Sequence, residues 1–187
     1  EPFPLDVDRG PLMTRRFVTA LAAAVLFTVA AAAATLNRGN QNDPDTLDPH
    51  KTTLLVAHEV AWQIYDSLIY LREDGEVFPG LAVSWEFSNE NKTVTFKLRP
   101  DIKFHDGTTF DATAVKANFD RVTDPANKLK RYTLFNRVAK TEVVDPYTAR
   151  VTLKEPFSPF INVLAHPSAV MISPTALKKY GKEIAFH

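Results

Sequence analysis

Five histidines, His50, His58, His105, His166 and His187, are the side chains best suited to acid–base or metal chemistry near neutral pH, and the chain has no cysteine. No two of them stand at the i, i+4 spacing that sets a pair of metal ligands on one helix face. No Asp/Asn ladder of calcium-loop type occurs either. His105-Asp106 reads as a base beside its carboxylate or as a polar turn after a strand. Neighbours on a turn seldom point at one another, which favours the turn. No serine lies in a Gly-x-Ser-x-Gly or Ser-x-x-Lys context, and no glycine-rich phosphate loop is present. The expectation is therefore no catalytic residue, no metal and no cofactor.

Binding chemistry is more visible. In Lys128-Leu129-Lys130-Arg131-Tyr132 an arginine could clamp a carboxylate through two parallel N–H donors while the tyrosine stacks or hydrogen-bonds beside it. A solvated loop is the alternative, favoured for the lysines and left open for Arg131 and Tyr132. Lysine plus arginine total 22, as do aspartate plus glutamate, so no net field draws the chain to nucleic acid.

The first residues do not read as part of a fold. Met13 is followed by Thr14-Arg15-Arg16 and then by an uncharged, alanine-rich run over 17–34 that ends in small residues. A basic start, an apolar core and a small-residue end are the parts of a secretory signal peptide, placed here at 13–34. A retained membrane anchor is the alternative. Residues 1–12 read as an upstream extension, and 35–187 as the folding part. No cysteine follows the apolar run to carry a lipid, so the expectation is an exported soluble protein rather than a lipoprotein.

Hydrophobic periodicity then sets out the elements. A strand is expected at 35–37. Ala57, Val60, Ala61, Ile64 and Leu68 recur at three and four over 54–68, one face of a helix, with Trp62 and Tyr65 at its flanks. A strand at 69–71 ends in the turn Glu73-Asp74-Gly75. Residues 81–87 and 93–98 form a hairpin whose second arm alternates Val94, Phe96 and Leu98 with polar residues. Asp111 caps a helix carrying Val115, Phe119 and Val122, which Asp124-Pro125 stops. A second hairpin pairs 141–144 with 149–153. A helix is expected at 157–164, a strand at 169–172, and a last helix opened by Ser173-Pro174 and closed by Gly181. The order describes a mixed, mostly antiparallel α+β fold, not a βαβ series. A strand edge without cover and the lack of a closing element point to an N-terminal fragment.

Three separated motifs carry a family resemblance. Thr46-Leu47-Asp48-Pro49-His50-Lys51-Thr52, Leu81-Ala82-Val83-Ser84-Trp85-Glu86 and Phe96-Lys97-Leu98-Arg99-Pro100-Asp101-Ile102-Lys103-Phe104-His105-Asp106-Gly107-Thr108 resemble family 5 solute-binding proteins of ABC importers. Asp124-Pro125-Ala126-Asn127, Leu129-Lys130-Arg131-Tyr132 and Leu164-Ala165-His166-Pro167 are similar to the glutathione-binding members. The resemblance implies two lobes closing on a hinge, with 35–187 the incomplete first lobe of a periplasmic-binding-protein-like fold. It implies a periplasmic receptor, a monomer at full length, that captures a peptide or glutathione and delivers it to permease subunits in the inner membrane. A binder of nickel chelates or other small solutes is the near alternative, and an exported enzyme or sensor reusing the lobe the distant one. The loop after Lys51 lines the cleft in peptide-binding relatives, so the implied ligand residues are Thr52, Thr53, Leu54 and Leu55, joined by Arg131 and Tyr132. Backbone groups and threonine hydroxyls of this loop would meet the ligand in strand-like fashion.

Overall fold

The computed structural model describes residues 42–186. The expected upstream extension 1–12, signal peptide 13–34 and strand 35–37 lie outside the described residues.

The principal sheet has four antiparallel strands: β3 (Ala82–Ser88), β4 (Thr93–Leu98), β5 (Val138–Asp145) and β6 (Thr148–Leu153), in the order β3-β4-β6-β5. A smaller antiparallel pair joins β1 (Ile69–Leu71) to β2 (Val77–Pro79). Alternation in β4 puts Val94, Phe96 and Leu98 inside, and Ala149, Val151 and Leu153 of β6 lie on the same buried side of the pleat. Phe96 stands opposite both Trp85 and Ala149, so the central pair of strands carries the sheet's apolar face. The first hairpin turns through Asn89, Glu90 and Asn91, all with positive φ.

The helices in chain order are α1 (Leu55–Ile64), α2 (Ala112–Thr123), α3 (Tyr132–Phe135), α4 (Phe160–Leu164) and α5 (Pro174–Tyr180), with short 3-10 turns between them and after α5. Helix α2 covers the sheet: Val115, Phe119 and Val122 are buried with β5 and β6 beneath them. Phe119 meets Phe135 at 6.1 Å and Phe160 at 6.4 Å between ring centroids, which knits α2, α3 and α4 into one core. The Asp111 carboxylate accepts from the Thr113 and Ala114 N–H groups at 2.8 and 3.0 Å, the expected N-cap. The Ala112 N–H donates to the Pro146 carbonyl and so seats the start of α2 on the turn of the second hairpin.

The turn over 101–109 is held by its own backbone and by Asp106. Gly107 sits at φ +81° and Asp101 at +61°, the left-handed values that reverse the chain here. The Asp106 carboxylate accepts from Thr108 and from the Ser173 hydroxyl, which itself caps α5. His105 is exposed and is not among these partners. The pair is therefore a structural turn, and its carboxylate is held below its ordinary value chiefly by the Ser173 and Thr108 hydrogen bonds.

Three differences from the sequence reading have physical causes. β2 was not foreseen, because three residues ending in Pro79 carry almost no pattern; it exists because β1 offers a partner. The helix expected from Phe157 begins at Phe160, after the turn that Pro159 closes. The segment expected as a strand at 169–172 is not one. It makes a single bridge, Ser67 to Val170, and the Met171 N–H donates to the Asp66 carbonyl. Its other groups are met by side chains: Asn118 accepts from the Ile172 N–H at 3.0 Å and donates to the Ile172 carbonyl at 2.8 Å.

Candidate functional site

The chain enters the described region as a loop, and two hydrogen-bonded knots hold that loop against the body of the domain. The first is built on Asp48, which is fully buried. Arg121 of α2 donates to both Asp48 carboxylate oxygens, at 3.1 and 2.5 Å, in the bidentate fork that guanidinium and carboxylate favour. Arg121 Nη1 lies 2.6 Å from His50 Nδ1. Since arginine only donates, Nδ1 is the acceptor. The other ring nitrogen therefore carries the proton, and the nearby Val170 backbone favours that N–H. Burial pushes His50 down to about 4, with the Arg121 charge adding to the effect. Burial alone would raise Asp48, but the Arg121 hydrogen bonds and charge outweigh it and hold the carboxyl below its usual range. Asp48-Pro49-His50 thus anchors the loop to α2.

The second knot holds the residues singled out for binding. Thr52 is buried; its hydroxyl donates to Asp45 at 2.6 Å and accepts from the Leu54 N–H at 3.0 Å. Its carbonyl accepts from Arg131 Nε at 2.8 Å. Neither group of Thr52 is turned outward, so this residue shapes the loop. Thr53, Leu54 and Leu55 are exposed, Leu55 at 70%. These leucines, at the end of the loop and the start of α1, form a small exposed apolar face.

Arg131 precedes α3, and its own N–H donates to the His50 carbonyl, so the two knots share a strand of backbone. Its Nη2 lies 3.2 Å from His58 Nε2, and Nη1 has no hydrogen-bond partner among the described residues. Tyr132, half-buried, opens α3 beside it. Lys130 reaches Asp45 at 3.6 Å across the surface. The structure therefore brings Thr52 and Arg131 into direct contact although 79 positions separate them.

Two residues that the residue-by-residue reading did not single out for binding belong to this cluster. His58 on α1 is buried and also meets the Ser168 hydroxyl at 3.2 Å. His166 packs edge-on against His58 with ring centroids 5.4 Å apart, and its Nδ1 accepts from the Ser168 N–H. Burial lowers both imidazoles, with Arg131 next, His166 to about 4. At neutral pH the cluster therefore presents one positive charge, that of Arg131. A guanidinium with one free edge beside an exposed apolar loop can hold a carboxylate and cover an uncharged chain next to it. Cavities of about 440 Å³ beside Tyr65, Phe104 and Tyr180 and about 470 Å³ beside Lys51 and Lys178 open elsewhere, and neither includes any of the six predicted residues.

Residues 76–185 match the family model described as bacterial extracellular solute-binding proteins, family 5 Middle. The chain belongs to this family. The matched span contains the second and third sequence motifs together with Arg131 and Tyr132. Among curated relatives, the glutathione-binding protein GsiB of Shigella flexneri is 54% identical over 142 residues, covering 76% of this chain and 28% of that protein. Solved structures with the same fold include NikA from Brucella suis in complex with Fe(III)-EDTA, 37% identical with a TM-score of 0.64, covering 71% of this chain and 26% of that one. They also include Haemophilus influenzae OppA in complex with RPPGFSPFR, 27% identical with a TM-score of 0.70, covering 76% and 31%. The chain spans under a third of the length of each of these three proteins. This family 5 chain corresponds to part of a periplasmic-binding-protein-like architecture, with mixed helices and antiparallel sheet as the sequence implied.

Proposed function

We propose that this chain forms the first lobe of a periplasmic substrate-binding component of an ABC importer, which captures glutathione or a short peptide and delivers it to permease subunits in the inner membrane. Export would be directed by 13–34, with no lipid anchor, and the receptor would bind its solute unchanged. The observation that carries the reading is the contact between Arg131 and the loop of Thr52, Thr53, Leu54 and Leu55. A guanidinium edge without a partner among the described residues, beside exposed apolar side chains, suits a ligand with a free carboxylate and an uncharged chain. The 54% identity to a glutathione-binding protein favours glutathione within that class. Capture would follow from hinge closure, since a ligand that touches both lobes stabilises the closed state selectively.

Thermal unfolding of the full-length gene product tests this. Glutathione at a hundred times its dissociation constant is expected to stabilise the protein by about 2.7 kcal/mol. Stabilisation by di- or oligopeptides without glutathione would replace the cargo and keep the class. Arg131→Ala is expected to weaken binding about 10- to 100-fold, the worth of a lost charge-assisted pair. Unchanged affinity in that variant would remove Arg131 from the site, and chemical turnover of a bound solute would overturn the receptor reading.

A second reading, a binder of metal chelates, draws on the 37% identity to a protein solved with Fe(III)-EDTA. A chelate carries carboxylates that Arg131 could hold equally well. Titration with a nickel–histidine complex in parallel with glutathione separates the two.

A further inference from the structure

We propose that His58 is a positioning residue for the ligand-binding face, tying the Arg131 guanidinium to the Thr52 loop through one uncharged imidazole. The inference rests on the reading of Arg131 as a ligand contact. Its geometry is nevertheless independent of any ligand.

Arg131 can only donate, so the Nη2 contact at 3.2 Å requires a lone pair on His58 Nε2. The proton of the neutral ring then sits on Nδ1, and the Thr52 backbone is near enough to act on the ring. The Thr52 carbonyl is also the acceptor for Arg131 Nε. Arg131, on the approach to α3, is thus held between Thr52 of the loop and His58 of α1 by one hydrogen bond to each. A guanidinium held at Nε by a carbonyl and at Nη2 by an imidazole has lost its rotational freedom, and Nη1 is left without a hydrogen-bond partner among the described residues. Ser168, whose hydroxyl lies 3.2 Å from the same Nε2, adds a second polar contact at that nitrogen. Pre-orientation of this kind spares the entropy that a free arginine would lose on capturing a carboxylate.

Protonation of His58 would reverse the arrangement, because Nε2–H would face a donor and two positive charges would adjoin. The charged or titratable groups that face His58 are Arg131 before α3, His166 after α4 and Asp45 of the entry loop. Asp45 is shared with Lys130 and with the Thr52 hydroxyl. Burial and Arg131 both disfavour the charged imidazole, which keeps its contact with Arg131 intact at neutral pH.

The test uses the full-length gene product and two readouts. Nitrogen-15 NMR of the imidazoles reports the tautomer without a ligand: a proton on Nδ1 of His58 at pH 7.5 is expected, and one on Nε2 would overturn the proposal. Glutathione titration then compares His58→Phe, which keeps bulk and removes both bonds, with His58→Gln, whose amide can accept from Arg131 and donate to Thr52. His58→Phe is expected to weaken binding about tenfold, the size of one or two lost hydrogen bonds, and His58→Gln to recover much of it. Wild-type affinity should fall as pH drops below the imidazole range, more steeply than in His58→Gln, where the remaining slope reports His166. If Arg131→Ala abolishes binding while His58→Phe leaves affinity and its pH profile unchanged, the positioning role is wrong and the site stands. If Arg131→Ala has no effect, the site reading fails, and the NMR result alone decides whether the bracing exists.

Discussion

Asn118 does the work of a missing strand. One side-chain amide on α2 meets both backbone groups of Ile172 and also donates to the carbonyl of Ala114 in its own helix. The buried His50 ring also lies near the Val170 backbone, so polar side chains adjoin this segment at two points. Buried backbone groups must be paired, and removing the partner leaves them orphaned. Asn118→Leu, similar in size, is therefore expected to destabilise the domain by about 2–4 kcal/mol, read as a shift in the urea midpoint at unchanged slope. A change under about 0.5 kcal/mol would mean that water replaces the amide. These residues were illegible beforehand because a histidine or asparagine reveals nothing of its partner 54 or more positions away. Arg131 was legible as a candidate for binding from its type and its neighbours. His58 was not, since a lone histidine on an apolar helix face has no local signal.

At the scale of elements, local rules were reliable where each element satisfied itself. The Asp111 cap, the face of Val115, Phe119 and Val122, the stop at Asp124-Pro125 and both hairpins follow from period and turn chemistry within a dozen residues. Asp111→Ala is expected to cost about 1 kcal/mol, the usual worth of an N-cap, with the loss concentrated in amide exchange of the first turn of α2. Uniform loss of protection across the whole domain instead would show that the cap also secures the seat of α2 on the Pro146 turn. Elements that depend on a neighbour were read poorly. β2 needs β1, and the stretch at 169–172 reads as a strand from composition but finds side chains where a strand would need a ladder. The turn at 101–109, whose composition marks the family, binds α5 through Asp106 and Ser173.

For the whole molecule, the buried Asp48–Arg121–His50 knot makes stability depend on acidity. An unfolded chain returns His50 to about 6.5 while the fold holds it at about 4, so between these limits the unfolded state binds more protons. The contribution is present in full above pH 6.5 and is lost as pH falls towards 4, amounting to roughly 3 kcal/mol at most. Asp48, held low in the fold, adds a further loss in more acid solution as its carboxylate protonates. Urea midpoints measured from pH 7.5 to 4 should decline, and His50→Gln should flatten the part between 6.5 and 4 even if it lowers the starting value. A flat profile in the wild type would mean that His50 is charged in the fold, contrary to the Arg121 contact.

The amino-acid sequence by itself determined the mixed antiparallel class, the order and caps of most elements, and three motifs sufficient to point to family 5, because hydrophobic period, turn residues and helix caps act over short distances. Only the tertiary structure decided that Asp48-Pro49-His50 is an anchor, that Thr52 faces inward while Thr53, Leu54 and Leu55 face out, and that His58 braces Arg131 against that loop. Each of those outcomes depends on the burial of polar groups contributed by remote elements, and the pairing of such groups is set by how the sheet and helices stack.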